Sequence, residues 1–111
     1  MIEQTLQELV DRFNRRAAQE PALSQELQGI RRTVALKLAD GRAFGVELAD
    51  GRLGGLTTSL PAKADVTIRT DAETFLALVR REMGPMKALV TGKLALDGSL
   101  DDKLLFRKFL R

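Results

Sequence analysis

The chain has 111 residues, of which 44% are hydrophobic and 30% charged, and its formal net charge is +3. This length and composition are typical of one globular domain, so we predict a single domain over residues 1–111. The sequence contains no cysteine, which excludes a disulfide framework, a thiolate metal site and a thiol nucleophile. The mild basicity permits attraction to an anionic membrane or to nucleic acid but requires neither.

The N-terminal segment predicts an amphipathic helix over residues 2–19. Its acidic residues distinguish it from a secretory signal, and no apolar run in the chain approaches the roughly 20 residues of a membrane span. We therefore expect a cytoplasmic protein. Apolar residues at three- and four-residue spacing form one stripe on this helix, namely Ile2, Leu6, Leu9, Val10, Phe13 and Ala17. Residues 23–27, after Pro21, predict a short second helical turn.

The middle of the chain predicts an antiparallel meander of three strands. Two dipeptides, Asp40-Gly41 and Asp50-Gly51, are typical of tight type I′ hairpin turns, whose central residues both need positive φ. The segments around these turns alternate apolar and polar residues, as strands with one core face do. Gly54-Gly55 interrupts the third strand and indicates a bulge or a close backbone approach.

The second half of the chain predicts two more strands and three helices. A fourth strand over residues 65–70 leads into a helix, whose start we assign to a capping box at Thr70–Glu73. Gly84-Pro85 ends that helix and begins a short one, on which we expect Met86, Leu89 and Val90 to lie inward. A fifth strand over residues 93–98 precedes a last helix, which Ser99 is expected to cap.

This order of elements predicts an α+β fold with a five-stranded, antiparallel-dominated sheet and helices on one face. Consecutive hairpins place the first three strands side by side. The fourth and fifth strands then join a free edge of that meander, and we expect them beside the first strand.

Most residue types that enzymes use are missing, because the sequence has no His, Cys, Tyr or Trp. Asp101-Asp102 resembles a pair of catalytic carboxylates, but acids in the first turn of a helix also complement its dipole, and we prefer that interpretation. Carboxylates do not cluster at the spacing of metal ligands. We therefore expect a protein that is not an enzyme and uses no metal or cofactor.

Three dibasic pairs, Arg15-Arg16, Arg31-Arg32 and Arg80-Arg81, indicate either nucleic-acid binding or solvated surfaces. All five aromatic residues are Phe at positions that fit a core, so the stacking residues of single-strand binders are missing. We expect no nucleic-acid partner, and transient contact with an anionic membrane remains open.

The last helix is unusually apolar, with six large apolar residues among its twelve. They do not form one stripe, because Leu105, Phe106 and Phe109 share one side whereas Leu100 and Leu104 lie on another. Such a helix is buried on several sides, or it contacts a ligand or a partner. A plain core is the alternative interpretation.

Two features near the Gly84-Pro85 break also fit an apolar pocket. Met83 and Met86 flank the break, and methionine suits irregular apolar walls. Glu82 falls by helical angle among the apolar residues, so it is either a polar group inside a pocket or a last-turn residue that reaches solvent.

Several segments of the second half resemble the sterol carrier protein type-2 domain. They are, in chain order, ADVTI at 64–68, the capped helix with Phe75, GPMKA at 84–88, GKL at 92–94 and LDG at 96–98. The resemblance implies an apolar tunnel between the sheet and the helices. It also implies non-catalytic binding or transfer of a sterol, fatty acid, fatty acyl-CoA, isoprenoid or phospholipid.

The resemblance also implies which residues line the tunnel. The expected ligand-binding residues are Phe75, Leu76, Val79, Met83, Met86, Leu89, Val90, Leu94, Leu96, Leu105, Phe106 and Phe109. The chain ends in Phe109-Leu110-Arg111 rather than in a small-basic-Leu peroxisomal address, which favours a prokaryotic stand-alone form. The rival hypothesis is an interaction module whose last helix docks on a partner enzyme or a dimer mate, so both monomer and homodimer remain open.

Overall fold

The computed structural model describes the backbone of residues 2–109 and the side chains of residues 2–105. Within that part of the chain, none of the helices combines the length and apolar character that a membrane span requires. The elements are α1 (Ile2–Gln19), α2 (Pro21–Leu27), β1 (Arg31–Leu38), β2 (Ala43–Ala49), β3 (Arg52–Thr57), β4 (Val66–Thr70), α3 (Ala72–Val79), α4 (Pro85–Val90), β5 (Leu94–Gly98) and α5 (Leu100–Phe109).

The strands form one sheet in the order β3-β2-β1-β4-β5. Neighbouring strands run antiparallel except β1 and β4, which are parallel, with Val34 opposite Val66. β3 runs in the same direction as β1. After β3 the chain crosses over to the free edge of β1, and β4 enters the sheet there parallel to β1. The predicted α+β fold is confirmed, with an antiparallel-dominated sheet in which β4 joins the β1 edge of the meander and β5 pairs with β4.

The two Asp-Gly turns differ from each other. At the second turn, Asp50 and Gly51 have φ of 49° and 84°, as the predicted type I′ geometry requires. At the first turn only Gly41 has a positive φ, and its amide donates to the carbonyl of Leu38 at 3.0 Å. This is a longer hairpin loop that ends in a left-handed glycine, so the type I′ prediction is wrong at Asp40-Gly41.

The connection from β3 to β4 crosses the sheet on the face opposite the helices. Pro61 lies directly over Gly45, and a Cβ atom at position 45 would stand 2.8 Å from the Cγ of Pro61. At the end of the connection, the amide of Asp65 donates to the carbonyl of Thr33 at 2.8 Å. The register between β2 and β3 shifts next to Gly45, which confirms the bulge predicted at Gly54-Gly55.

The core lies between the sheet and the helices. The inward alternation of β1 and β2 and the stripe of α1 meet there, and the stripe is buried as predicted at Ile2, Leu6, Val10 and Ala17. A first buried cluster contains Ile2, Leu6, Val10, Leu36, Leu38, Phe44, Val46 and Phe75. A second contains Leu27, Val34, Leu48 and Val66.

Helix α3 begins one residue later than predicted. The N-cap is Asp71, whose carboxylate accepts from the amide of Thr74 at 2.6 Å. Thr70 still belongs to β4, and its hydroxyl donates to the carbonyl of Lys93 at 2.9 Å. The capping box predicted at Thr70–Glu73 is therefore wrong, because the Thr70 side chain joins two neighbouring segments instead of capping the helix.

Helix α3 also ends at Val79 and not at Gly84. Arg81 takes the left-handed conformation with a φ of 60°, and the amide of Glu82 donates to the carbonyl of Ala77 at 2.8 Å. These two features form a Schellman motif, which terminates a helix. Glu82 consequently lies outside the helix and is exposed, as the solvent interpretation of this residue predicts.

Candidate functional site

An open apolar groove lies at the β5 edge of the sheet, between α4, β5 and α5. Its volume is about 340 Å³, near the lower end of the range for small-molecule sites. Six of the residues that line it are apolar and one is a lysine. They are Met86, Leu89, Val90, Leu96, Leu100, Lys103 and Leu104.

Helix α4 supplies one wall of the groove, and Ala88 determines its orientation. Ala88 has no exposed surface, and its carbonyl accepts from the amide of Lys93 at 2.9 Å. The side of the helix opposite Ala88 carries Met86, Leu89 and Val90 at the spacing of one helical face. These three side chains therefore face the groove.

Helix α5 supplies the opposite wall. The hydroxyl of Ser99 accepts from the amide of Asp102 at 3.1 Å, so the predicted cap is confirmed. Leu105 packs against the second buried cluster, while the carboxylate of Asp102 accepts from the guanidinium of Arg32 at 2.6 Å. With these two side chains engaged elsewhere, the helix presents to the groove the stripe Leu100, Lys103 and Leu104.

The Arg32–Asp102 ion pair joins α5 to the sheet. The Asp102 side chain is 13% exposed and the Arg32 side chain 35%, so the pair is more sheltered than the surface pair of Arg42 with Asp40. The hydrogen bond that the Arg32 guanidinium donates to Asp102 raises the pKa of Arg32 above its ordinary value, because it stabilises the charged guanidinium. The pair therefore links the first turn of α5 to β1.

The groove exposes much of its apolar surface. Within residues 2–105, five large apolar side chains are exposed, and four of them line this groove. Their exposed fractions are 82% for Val90, 72% for Leu100, 52% for Met86 and 48% for Leu104, whereas Leu60 lies in the connection from β3 to β4. Such a concentration of apolar surface is typical of a binding site.

The structure brings together four of the predicted ligand-binding residues, Met86, Leu89, Val90 and Leu96, which line the groove. Two others, Phe75 and Leu94, are buried, and Leu76 and Val79 pack against the first buried cluster. Met83 is half-buried and Leu105 belongs to the margin of the second cluster. The side chains of Phe106 and Phe109 lie outside the described residues.

One expectation about α4 is wrong and three groove residues were missed. Met86 and Val90 were expected to point inward, but both are exposed because the small side chain of Ala88 takes the inward position. Leu100, Lys103 and Leu104 were not among the predicted site residues. These three residues have the i, i+3, i+4 spacing of one helical face, as Met86, Leu89 and Val90 do in α4. This spacing was the available signal in the sequence, and it was not used.

A second hollow lies between α1 and α2 and has a volume of about 460 Å³. Its lining includes Arg16 and Glu20, which form an ion pair at 2.7 Å, together with Gln19 and Glu26. An apolar ligand would displace water from these charged groups without replacing their hydrogen bonds. We therefore assign the candidate site to the groove at β5.

The side chains described in residues 2–105 contain no group of three or more potential metal ligands from His, Cys, Asp and Glu. In the groove itself, Lys103 is the one titratable side chain among the described lining residues. The arrangement is suited to holding an apolar molecule beside a single positive charge.

A sequence model of the SCP-2 sterol transfer family matches residues 10–111. The chain belongs to this family. The match extends from the middle of α1 through α5 and includes every groove residue. As a member of the SCP-2 family, the chain is related to proteins whose general activity is lipid binding or transfer. No curated protein matches the chain in a sequence search.

Solved structures of other SCP-2 domains share the fold. The sterol carrier protein domain 2 of Helicoverpa armigera is 17% identical, with a TM-score of 0.70 over 96% of this chain and 86% of that one. Palmitated SCP2L2 from Aedes aegypti is 21% identical, with a TM-score of 0.64 over 93% of this chain and 91% of that one. At these identities the comparisons show the fold alone.

The same fold also occurs inside a larger enzyme. The inverting sec-alkylsulfatase from Pseudomonas sp. is 25% identical over 78% of this chain, with a TM-score of 0.61. This chain spans only 14% of the length of that sulfatase, so the similarity concerns one of its parts.

Proposed function

We propose that this SCP-2 family protein is a non-catalytic lipid carrier that binds its ligand in the groove between α4, β5 and α5. The ligand classes consistent with the proposal are a sterol-like molecule, a fatty acid, a fatty acyl-CoA, an isoprenoid or a phospholipid. We expect the protein to act in the cytoplasm.

The concentration of exposed apolar side chains at one groove is the observation that carries this proposal. Four large apolar residues remain open to water there, although the rest of the described core buries its apolar side chains. A lipid tail that covers them would gain roughly 25 cal/mol per Å² of apolar surface removed from water, before the costs of association. Removal of these side chains from water therefore favours the binding of a lipid in the groove.

The predicted tunnel would extend inward from this groove. Leu96 lines the groove and Leu94, two residues earlier on the same face of β5, is buried beneath the helices. We propose that the ligand tail follows this face of β5 toward the predicted ligand-binding residues of α3, Phe75, Leu76 and Val79. The closing helix α5 would cover the tail.

The residue composition supports a non-catalytic role. The chain lacks His, Cys, Tyr and Trp, and the groove lining described here offers one lysine and six hydrocarbon or thioether side chains. An apolar wall with one cation can bind and orient a lipid, whereas proton transfer needs a positioned acid or base close to a reacting atom.

The test is native mass spectrometry of the freshly purified protein, followed by solvent extraction and identification of the extracted lipid. We expect an adduct with the mass of one lipid per chain. A bare mass, combined with no uptake of a fluorescent fatty acid, contradicts the carrier function.

The second candidate function is that of an accessory domain, which presents a hydrophobic substrate to a partner enzyme or docks on a dimer mate. The occurrence of this fold as 14% of an alkylsulfatase favours it. If the domain docks on a dimer mate or a partner enzyme, its mass in light scattering should rise with protein concentration or on addition of that enzyme, without any bound lipid. Lipid uptake by a monomer would instead favour the carrier.

A further inference from the structure

Among the described residues, one charged side chain lines the groove, and its position is unusual. On α4, the three residues that face the groove are Met86, Leu89 and Val90, and all are apolar. On α5, the equivalent stripe is Leu100, Lys103 and Leu104, so a lysine takes the place that Leu89 has in the facing helix. Lys103 is half-buried, and none of the other described residues that line the groove carries a carboxylate, hydroxyl or amide group that could accept from its ammonium.

The neighbouring carboxylates do not neutralise Lys103. Asp102, the adjacent residue, faces away from the groove and accepts from Arg32 at 2.6 Å. Asp97, on β5, is paired with Arg69. No ion pair joins the Lys103 ammonium to a carboxylate of the side chains described in residues 2–105.

The side chain of a lysine at such a position normally runs along an apolar surface and ends at the water boundary. In an open groove, that boundary is also where the head of an amphiphile lies when its tail contacts the apolar wall. A cation there attracts a carboxylate or phosphate head and offers nothing comparable to a neutral hydroxyl group.

We propose that Lys103 binds the anionic head of the ligand, so that the groove selects a single-chain amphiphile with a carboxylate or phosphate head over a neutral lipid. This inference rests on the proposed function, and it narrows the ligand class of the same site. Binding of a free anion without a tail is not expected, because the described lining of the groove supplies one charged group.

The experiment compares three ligands that share a dodecyl chain, namely dodecanoate, dodecyl phosphate and dodecanol, by isothermal titration calorimetry at neutral pH and low salt. We expect Lys103→Gln to weaken binding of at least one anionic ligand by about fivefold, the effect of one partly exposed ion pair, and to leave dodecanol within twofold. Lys103→Arg should retain the anionic preference. Comparison of the carboxylate with the phosphate shows which head the site prefers, and inorganic phosphate serves as the ligand without a tail.

The matched control is Lys87→Gln, which removes the same charge from α4 at an exposed residue that does not line the groove. It should leave all three affinities unchanged. Equal binding of acids and alcohol by the wild type, or an equal loss for both in Lys103→Gln, overturns the head-group role while lipid binding stands. Failure of the wild type to bind any of the three overturns the head-group role, and the carrier function fails as well only if the native mass is bare and a fluorescent fatty acid is not taken up.

Discussion

The core under α1 and α2 and the groove at the β5 edge use the same apolar residue types in opposite ways. Under α1 and α2, Leu27 and Leu48 are 0% and 1% exposed and fill the second buried cluster. At the β5 edge, Val90 and Leu100 are 82% and 72% exposed and face an open groove. Some of the apolar side chains in the second half of the chain therefore lie outside the core, and they are concentrated in the groove between α4, β5 and α5.

This difference separates the residues that stabilise the fold from those available to a ligand. A buried leucine contributes transfer free energy and close packing to folding, whereas an exposed leucine contributes little until something covers it. Matched substitutions in the two regions test whether they are separate in this sense.

The largest expected effect comes from truncating the same residue type in each region. Leu48→Ala should lower the free energy of unfolding by about 2–5 kcal/mol, because it leaves a cavity in the buried cluster. Leu100→Ala, the same change at an exposed residue, should alter it by less than about 0.5 kcal/mol. Urea unfolding at equal protein concentration measures both, and similar losses for the two variants would contradict the division.

A smaller loss in the free energy of unfolding is expected when the N-cap of α3 is removed. This helix contributes Phe75 to the core. Asp71→Ala should destabilise the protein by about 1 kcal/mol, because the amide of Thr74 loses its acceptor. Asp71→Asn retains a capping oxygen and should cost less. Urea unfolding measures both losses, and an equal loss of stability in the two variants would contradict the capping role of the Asp71 side chain.

The charge on this cap also predicts a pH dependence. The amide of Thr74, and then its hydroxyl, donates to Asp71 and holds the pKa of this carboxyl below its ordinary value of 3.8. Its contribution to stability is present above pH 3.8 and is lost as the pH falls through the lower pKa of the folded state. The stability difference between the wild type and Asp71→Asn should be constant near neutral pH and shrink below about pH 4. A constant difference into strong acid would disprove this assignment.

The smallest stability effect is expected where the two regions are joined. Arg32→Gln removes the ion pair to Asp102 and should cost up to about 1 kcal/mol, more than Arg42→Gln, whose pair with Asp40 is more exposed. Because the Arg32 pair fixes α5 beside the groove, its loss should also increase amide hydrogen exchange in α5. Equal exchange in the two variants would show that the pair does not position this helix.

The sequence predicted the sheet well because alternation and turn residues are local signals. Three such predictions are confirmed, namely the stripe of α1, the Ser99 cap and the position of β4 and β5 on the β1 side of the meander. The prediction of element boundaries failed where two neighbouring residues carried the same local signal. At Thr70–Glu73, a Thr and an Asp were both candidate caps, and the position of Thr70 in β4 decided in favour of Asp71.

The site was predicted less completely than the fold. In α4 the apolar residues nearly surround the helix, so periodicity could not show that Ala88 points inward and that Met86 and Val90 point outward. The end of α3 was also misplaced, because Arg81 adopts the left-handed conformation that favours glycine. Burial of Ala88 against the rest of the fold determined the orientation of α4, and a single helix does not contain that information.

The central claim is that the exposed apolar groove binds the lipid, and two leucines of equal exposure test it most directly. Leu104 lines the groove and Leu60 lies in the connection from β3 to β4, yet each is 48% exposed. We would measure the affinity of a fluorescent fatty acid for the wild type, Leu104→Asp and Leu60→Asp, after confirming equal unfolding transitions. The account predicts that Leu104→Asp loses most of the binding and that Leu60→Asp retains it. Equal affinities in the two variants would contradict it.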